Sequence, residues 1–227
     1  IWMGDKHTMK QRIDEKLDAG FRVLKLKIGG INFGDEVDLL RYIRSVYPSD
    51  VLELRLDANG SFTCDNAMKR LEELSAFGIH SIEQPIKAGH TSQMAAICNA
   101  SPIPIALDEE LIGTRSREES RQMLVEIKPS YIILKPALCG GFLGADTWIE
   151  EACRLGIGYW FTSALESNIG LEAIALHVAQ NSCDVPQGLG TGQLFVNNFD
   201  SPLFLKGERM YYDASKKLTI PDLRWRQ

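Results

Sequence analysis

Short apolar runs and helical stretches alternate along this chain at a nearly constant pace, and that alternation constrains the fold more than any single motif. Strands are predicted at Val23–Ile28, Val51–Asp57, Ile79–Glu83, Ile103–Asp108, Tyr131–Lys135 and Tyr159–Thr162. Helices are predicted at Met9–Ala19, Asp35–Val46, Asn66–Phe77, Thr91–Asn99, Ser116–Ile127, Gly144–Leu155 and Gly170–Gln180. Thr8 reads as the cap of the first helix, and Gly20 follows its end. Strands and helices in this order imply βαβ units and a parallel sheet. With Trp2–Met3 as the end of a first strand and Pro186–Gly190 as an eighth, the pattern predicts a TIM-type (β/α)8 barrel, a fold of about 250 residues. A doubly wound open sheet is the rival, but no G-x-G-x-x-G follows the first strand. The "GLGTG" of residues 188–192 precedes no helical pattern and reads as a tight loop at the barrel mouth.

The phase of the strands locates the chemistry. In "VLKLKIGG" a period of two puts Leu24, Leu26 and Ile28 on one face and Val23, Lys25 and Lys27 on the other. In the next strand Leu52, Leu54 and Leu56 share one face, with Glu53, Arg55, Asp57 and Asn59 opposite. Leucines turned toward the helices leave the polar set turned into the barrel, and the last inward residue of each strand reaches the C-terminal mouth. The strand-end residues are Lys27, Asp57, Glu83, Asp108 and Lys135, one per roughly 25 to 30 residues, the length of one βα unit. Each alone is an ordinary loop opener, as in "DANG" or "DEE". Together they set three carboxylates on consecutive strands, flanked by lysines.

Converging carboxylates repel one another and resist ionisation unless a cation lies between them. Hard oxygen ligands without His or Cys favour Mg²⁺ over zinc, with Mn²⁺ as its substitute. One divalent ion leaves the trio still negative by one unit, which lysines on both sides offset. Such a cavity suits a small anionic substrate whose carboxylate meets the metal.

Composition narrows the rest. A net charge of −5 with pI near 5.5 leaves no basic footprint for nucleic acid. No apolar run approaches the roughly 18 residues of a membrane span. Five cysteines without a C-x-x-C pair suit a reduced, cytoplasmic protein. "IWMGD" reads as the middle of a strand, so a longer protein with an N-terminal part is expected.

The ordered series Lys25-x-Lys27, Asp57, Glu83, Asp108 and Lys135 resembles the enolase superfamily, in its muconate-lactonizing-like subgroup with a (β7α)β-type barrel. The strings "IWMG", "SALESNIG" and "GLGTGQLF" are more particularly similar to the o-succinylbenzoate synthases of menaquinone biosynthesis. That resemblance implies Asp57, Glu83 and Asp108 as Mg²⁺ ligands, Lys27 as acid/base and Lys135 facing it across the substrate. It also implies a hydro-lyase: loss of the proton alpha to the carboxylate, an enediolate, then departure of hydroxide from the same face. Lys25 is expected to lower the pKa of Lys27 and so help make it a base. Asn59, Ser163, Glu166 and Gly190 are candidate substrate contacts. Residues 1–200 would form the barrel, and 201–227, with strand-like "RMYYD" and "KLTIPDL", a tail packed on an α+β capping domain that this chain lacks. The barrel alone is therefore expected to fold but to turn over poorly. The family often has Ser or Gly where Glu110 stands.

Two other readings compete. Lysines on both faces also suit an N-acylamino acid racemase or dipeptide epimerase, although dipeptide epimerases carry an acidic D-x-D-type element where "GLGTG" offers no charge. A barrel that binds metal without turnover is the non-enzymatic alternative. The four histidines are scattered away from the strand ends, and His177 falls within an apolar helix.

Overall fold

Capping chemistry and alternating burial set the element boundaries of the computed structural model, which describes residues 1–113, 116–181, 185–190 and 195–218. The order is α1 (Lys6–Asp18), β1 (Val23–Lys27), α2 (Phe33–Val46), β2 (Glu53–Asp57), α3 (Cys64–Ser75) and β3 (Ile79–Glu83). It continues with α4 (Thr91–Ala100), β4 (Ile105–Leu107), a 3₁₀ turn (Glu109–Leu111), α5 (Arg117–Ile127), β5 (Tyr131–Leu134), α6 (Gly141–Arg154), β6 (Gly158–Phe161) and α7 (Asn168–Gln180). Capping boxes start α3 (Thr63 with Asn66) and α5 (Ser116 with Glu119), so the orphan N–H groups of both first turns are met locally. The cap of α1 is Asp5 rather than Thr8: the Asp5 carboxylate accepts the Thr8 N–H at 2.7 Å. Thr8 instead falls inside the first turn.

All five pairings in the order β1-β2-β3-β4-β5-β6 join sequence neighbours, and all five ladders are parallel. A doubly wound sheet would reverse direction at a switch point, and this one does not. Its leucine faces bury against the helices: Leu24, Leu26, Leu54, Leu56, Ile82 and Leu107 share one core with Leu40, Leu71, Met94, Leu124 and Trp148. The opposite faces enclose a second, smaller cluster of Ala106, Ile133 and Trp160, with Tyr131 against it. The Arg55 guanidinium lies 4.2 Å over the Trp160 ring and donates to the Pro186 carbonyl at 3.1 Å. A β2 side chain thus reaches β6 and the segment after it, as only a sheet curved around its interior allows.

The expected first and eighth strands do not form as strands among the described residues. Trp2–Met3 is irregular because the helix cap follows at Asp5; the pairing with β1 is made by Ile1 alone, whose carbonyl accepts the Lys27 N–H at 3.0 Å. Pro186–Gly190 contributes one parallel bridge, Gly188 to Thr162. Pro186 has no N–H to donate, and glycine lacks the side chain that stabilises a strand. The wall is therefore six strands with a single-residue contact on either edge.

The tail folds as an antiparallel hairpin, β7 (Leu203–Lys206) and β8 (Arg209–Tyr212). Leu203 and Met210 pack on Leu171, Ile174 and Leu189, while Phe204, Tyr211 and Tyr212 remain exposed. Of "KLTIPDL", the part from Thr219 onward lies outside the described residues.

The packing predicts a sharp contrast within the helices. Leu71 is fully buried on α3, so Leu71→Ala is expected to cost about 2–5 kcal/mol. Leu143, 80% exposed on α6, should cost under about 0.5 kcal/mol on the same change. Urea denaturation of the two variants measures both.

Candidate active site

Lys27, Asp57 and Glu83 are the last residues of β1, β2 and β3, and Asp108 and Lys135 immediately follow β4 and β5. Parallel pairing in register makes Lys27 the cross-strand neighbour of Asp57, and Asp57 that of Glu83. The six expected charged residues therefore meet at one rim. Lys27 Nζ donates to Asp57 Oδ2 at 2.6 Å; Lys25 Nζ approaches the same oxygen at 3.1 Å and donates to Glu83 Oε2 at 2.7 Å. Lys135 Nζ donates to Asp108 Oδ2. The three carboxylates are 0%, 1% and 2% exposed, so these are desolvated ion pairs with real mutual attraction.

Burial opposes the charge of each group, and the partners decide which way it moves. Asp57 is held below the usual carboxylate range because Lys25 and Lys27 outweigh its burial. Burial alone would lower Lys25, but Glu83 and Asp57 overcome it and hold the amine cationic well above the usual lysine value. Lys135 is likewise raised, its burial offset by Asp108. Glu83 goes the other way: burial, with Asp57 and Asp108 adding to it, pushes it up to about 8 despite Lys25. These directions are compatible, since one ammonium shared between two carboxylates under-compensates the more buried of them.

Among the described residues no three His, Cys, Asp or Glu groups stand together as a ready metal site, because lysine ammonium groups occupy the space between the carboxylates. The donor set nonetheless fits a hard cation. Glu83 Oε1 is buried without a hydrogen-bond partner among the described residues, and Asp57 and Asp108 act on Glu83 as like charges that a divalent ion would relieve.

A cavity of about 990 Å³ opens against this rim, lined in part by Lys25, Lys27, Lys135, Ser163 and Gly190. Of the expected substrate contacts, Ser163 and Gly190 thus face the cavity, and Asn59 and Glu166 are not in its lining. Asn59 is committed within the protein: it accepts from Lys27 at 2.5 Å and donates to Glu109 Oε1 at 2.9 Å. Its φ of 43° is the left-handed turn that carries the chain away from Asp57. Both oxygens of Glu166 are buried without a partner among the described residues.

Several contributors carried no sequence signal strong enough to single them out. Glu109, third in the Lys27–Asn59–Glu109 chain, was visible only as part of the acidic run. Glu36 on α2 reaches back to accept the N–H groups of Gly29, Gly30 and Ile31 at 2.6, 3.2 and 3.4 Å, which anchors the loop leaving Lys27. Its signal is an acidic residue in the first turn of a helix after Gly-Gly.

The family model for the enolase C-terminal domain-like fold matches residues 8–202. An o-succinylbenzoate synthase of Desulfotalea psychrophila is 54% identical over 207 residues, covering 91% of this chain and 56% of that protein. An N-succinylamino acid racemase of an Amycolatopsis species is 28% identical over 212 residues, covering 91% of this chain and 55% of its own. The crystal structure of MenC from Desulfotalea psychrophila superposes with a TM-score of 0.86 at 52% identity, covering 92% of this chain and 58% of that one. The chain thus spans little more than half the length of these relatives. With the match extending across the β1–β6 wall and its charged rim, the chain belongs to the enolase C-terminal domain-like family.

Proposed function

We propose that this chain carries the catalytic barrel of an o-succinylbenzoate synthase, a hydro-lyase of menaquinone biosynthesis. The observation that carries the reading is the charged rim: three buried carboxylates on adjacent strand ends, between Lys25 and Lys27 on one side and Lys135 on the other. The 54% identity to a synthase over 91% of the chain supports the choice of reaction.

Enzymes of this superfamily depend on a divalent metal. Here Asp57, Glu83 and Asp108 would hold Mg²⁺, or Mn²⁺ in its place, which supplies positive charge to the substrate carboxylate as the adjacent carbon loses its proton. Lys27 is the base. Its side chain is 17% exposed and lines the cavity, so a bound substrate can reach it. Lys27 Nζ takes the proton alpha to the carboxylate, and the same ammonium then protonates the departing hydroxyl, so water leaves from the face on which the proton left. Lys25 remains cationic and holds Glu83 and Asp57 in place. Lys135, raised in pKa and on the far side of the rim, stabilises negative charge that develops on the substrate. Ser163 and Gly190 contribute to the wall that receives the rest of the substrate. The four described cysteines are all free, in keeping with a cytoplasmic enzyme. Among the described residues no helix is long and apolar enough to cross a membrane.

A second reading, racemisation of an N-succinylamino acid, draws on the opposed lysines and on the 28% identical racemase. Assays of the protein with the succinyl-substituted cyclohexadiene carboxylate precursor and, separately, with an N-succinylamino acid discriminate the two. The first is expected to lose water in the presence of Mg²⁺; turnover of the second alone would overturn the synthase reading.

Lys27→Ala is expected to lower turnover by about 10²–10⁴-fold, the range of a lost general acid–base, with the circular dichroism spectrum unchanged. Near-normal turnover would assign the proton to another group. Asp108→Asn should weaken Mg²⁺ binding by isothermal calorimetry while leaving the circular dichroism spectrum of the folded protein unchanged, with a thermal midpoint below that of the unsubstituted protein because Lys135 loses its partner. Equal Mg²⁺ affinity in both would remove Asp108 from the ligand set.

A further inference from the structure

Two residues that the mechanism leaves unused, Gln84 and Glu110, follow the carboxylates Glu83 and Asp108 by one and two positions. We propose that they form a clamp fixing Glu83 and Asp108 relative to one another, as positioning residues for the cation site; this rests on the metal reading above. Gln84 is completely buried and has a φ of +41°, a conformation that favours glycine. A glutamine held there at a conformational cost is consistent with a side chain that is needed. Its backbone already joins two neighbours: Gln84 N–H donates to the Ala106 carbonyl of β4 at 2.9 Å, and its carbonyl accepts from Gly60, after β2, at 2.7 Å.

The side chain completes the tie. Gln84 Oε1 accepts the Asp108 N–H at 3.2 Å, so the residue after one carboxylate holds the backbone of the other. Gln84 Nε2 donates to the Ile86 carbonyl at 3.0 Å and to Glu110 Oε1 at 3.5 Å, the outer edge of hydrogen-bond distance. Glu110 is 7% exposed and also accepts the Gly89 N–H at 3.1 Å, drawing in the β3–α4 loop.

The chemistry of Glu110 gives the clamp its direction. An ionised carboxylate can only accept, so it must face the NH₂ end of the amide. The carbonyl end of Gln84 is then turned toward Asp108 N–H. The opposite orientation would set donor against donor at Asp108 and acceptor against acceptor at Ile86. Glu110 therefore reinforces the amide orientation that the Asp108 N–H and the Ile86 carbonyl already favour, and ties it to the β4 end, without touching the cation site itself. A Ser or Gly at this position would bring no carboxylate to Gln84.

The test uses Glu110→Ala, Glu110→Gln and a control, Glu151→Ala. Glu151 is also buried, at 1% exposed, but lies on α6 and pairs with Arg154 at 2.7 Å, so its loss softens the fold without touching the clamp. Hydrogen exchange at the Asp108 amide is measured in metal-free protein, where Glu110→Ala is expected to speed it about tenfold and Glu151→Ala to leave it unchanged. Mn²⁺ binding is followed by the paramagnetic signal of the free ion, and Glu110→Ala should weaken it about tenfold, in the range of lost supporting hydrogen bonds around a metal site. Glu110→Gln, which keeps an acceptor oxygen, should stay within about threefold of the unsubstituted protein in Mn²⁺ affinity. Unchanged exchange at Asp108 in Glu110→Ala, or equal weakening of Mn²⁺ by Glu151→Ala, overturns the clamp. Should the unsubstituted protein bind no Mn²⁺, the cation site falls and the exchange rates alone decide whether the clamp exists.

Discussion

Three carboxylates buried side by side are tolerated here because three lysines from the flanking strands meet them. Lys25 bridges Asp57 and Glu83, Lys27 takes the same Asp57 oxygen, and Lys135 takes Asp108. Left without a counter-charge, a carboxylate this buried would cost several kcal/mol, and the strand ends would splay. The compensation is uneven. Asp57 has two lysines and is held in its ionised form, whereas Glu83 shares one and is pushed up to about 8. The least compensated group is also the one with an oxygen unpartnered among the described residues. A divalent cation would address both deficits, so the rim reads as a cation site whose place the lysines partly fill.

That cluster depends on register. Parallel pairing sets Lys27 beside Asp57 and Asp57 beside Glu83, and a slip of one residue would turn every one of these side chains into the helical layer. Register in turn depends on the leucine faces, which have a dry partner only in the outer core. The interior accepts polar groups because it has its own polar partners: Arg55 is held by Glu53, by the Trp160 ring and by the Pro186 carbonyl. Outer packing therefore positions the chemistry, and the interior is free to be charged.

Loops finish what the strands begin. Glu36 gathers three consecutive N–H groups after Lys27, Asn59 links Lys27 to Glu109, and Gln84 with Glu110 ties the ends of β3 and β4. Glu36, Gln84 and Glu110 act on residues next to the charged rim, and Asn59 acts on Lys27 itself. Each is invisible to any test that asks only which residues end a strand.

The alternation of apolar and charged residues was sufficient to assign six strands, seven helices and the phase that brings Lys25, Lys27, Asp57, Glu83, Asp108 and Lys135 to one rim. It sufficed because side-chain direction in a strand follows a period of two whatever the strand packs against. The sequence by itself thus determined the layer architecture and the charged set. It could not show that Ile1 and Gly188 supply single contacts where strands were expected, since Pro186 and the helix cap at Asp5 act only through their surroundings. Nor could it show which lysine meets which carboxylate, or that Asn59 turns to Glu109 and Gln84 to Asp108. Those pairings join residues that are distant along the chain, and their energies depend on burial and on distances of a few ångströms. They emerge with the assembled sheet, because desolvation and hydrogen-bond geometry come into being when the strands meet.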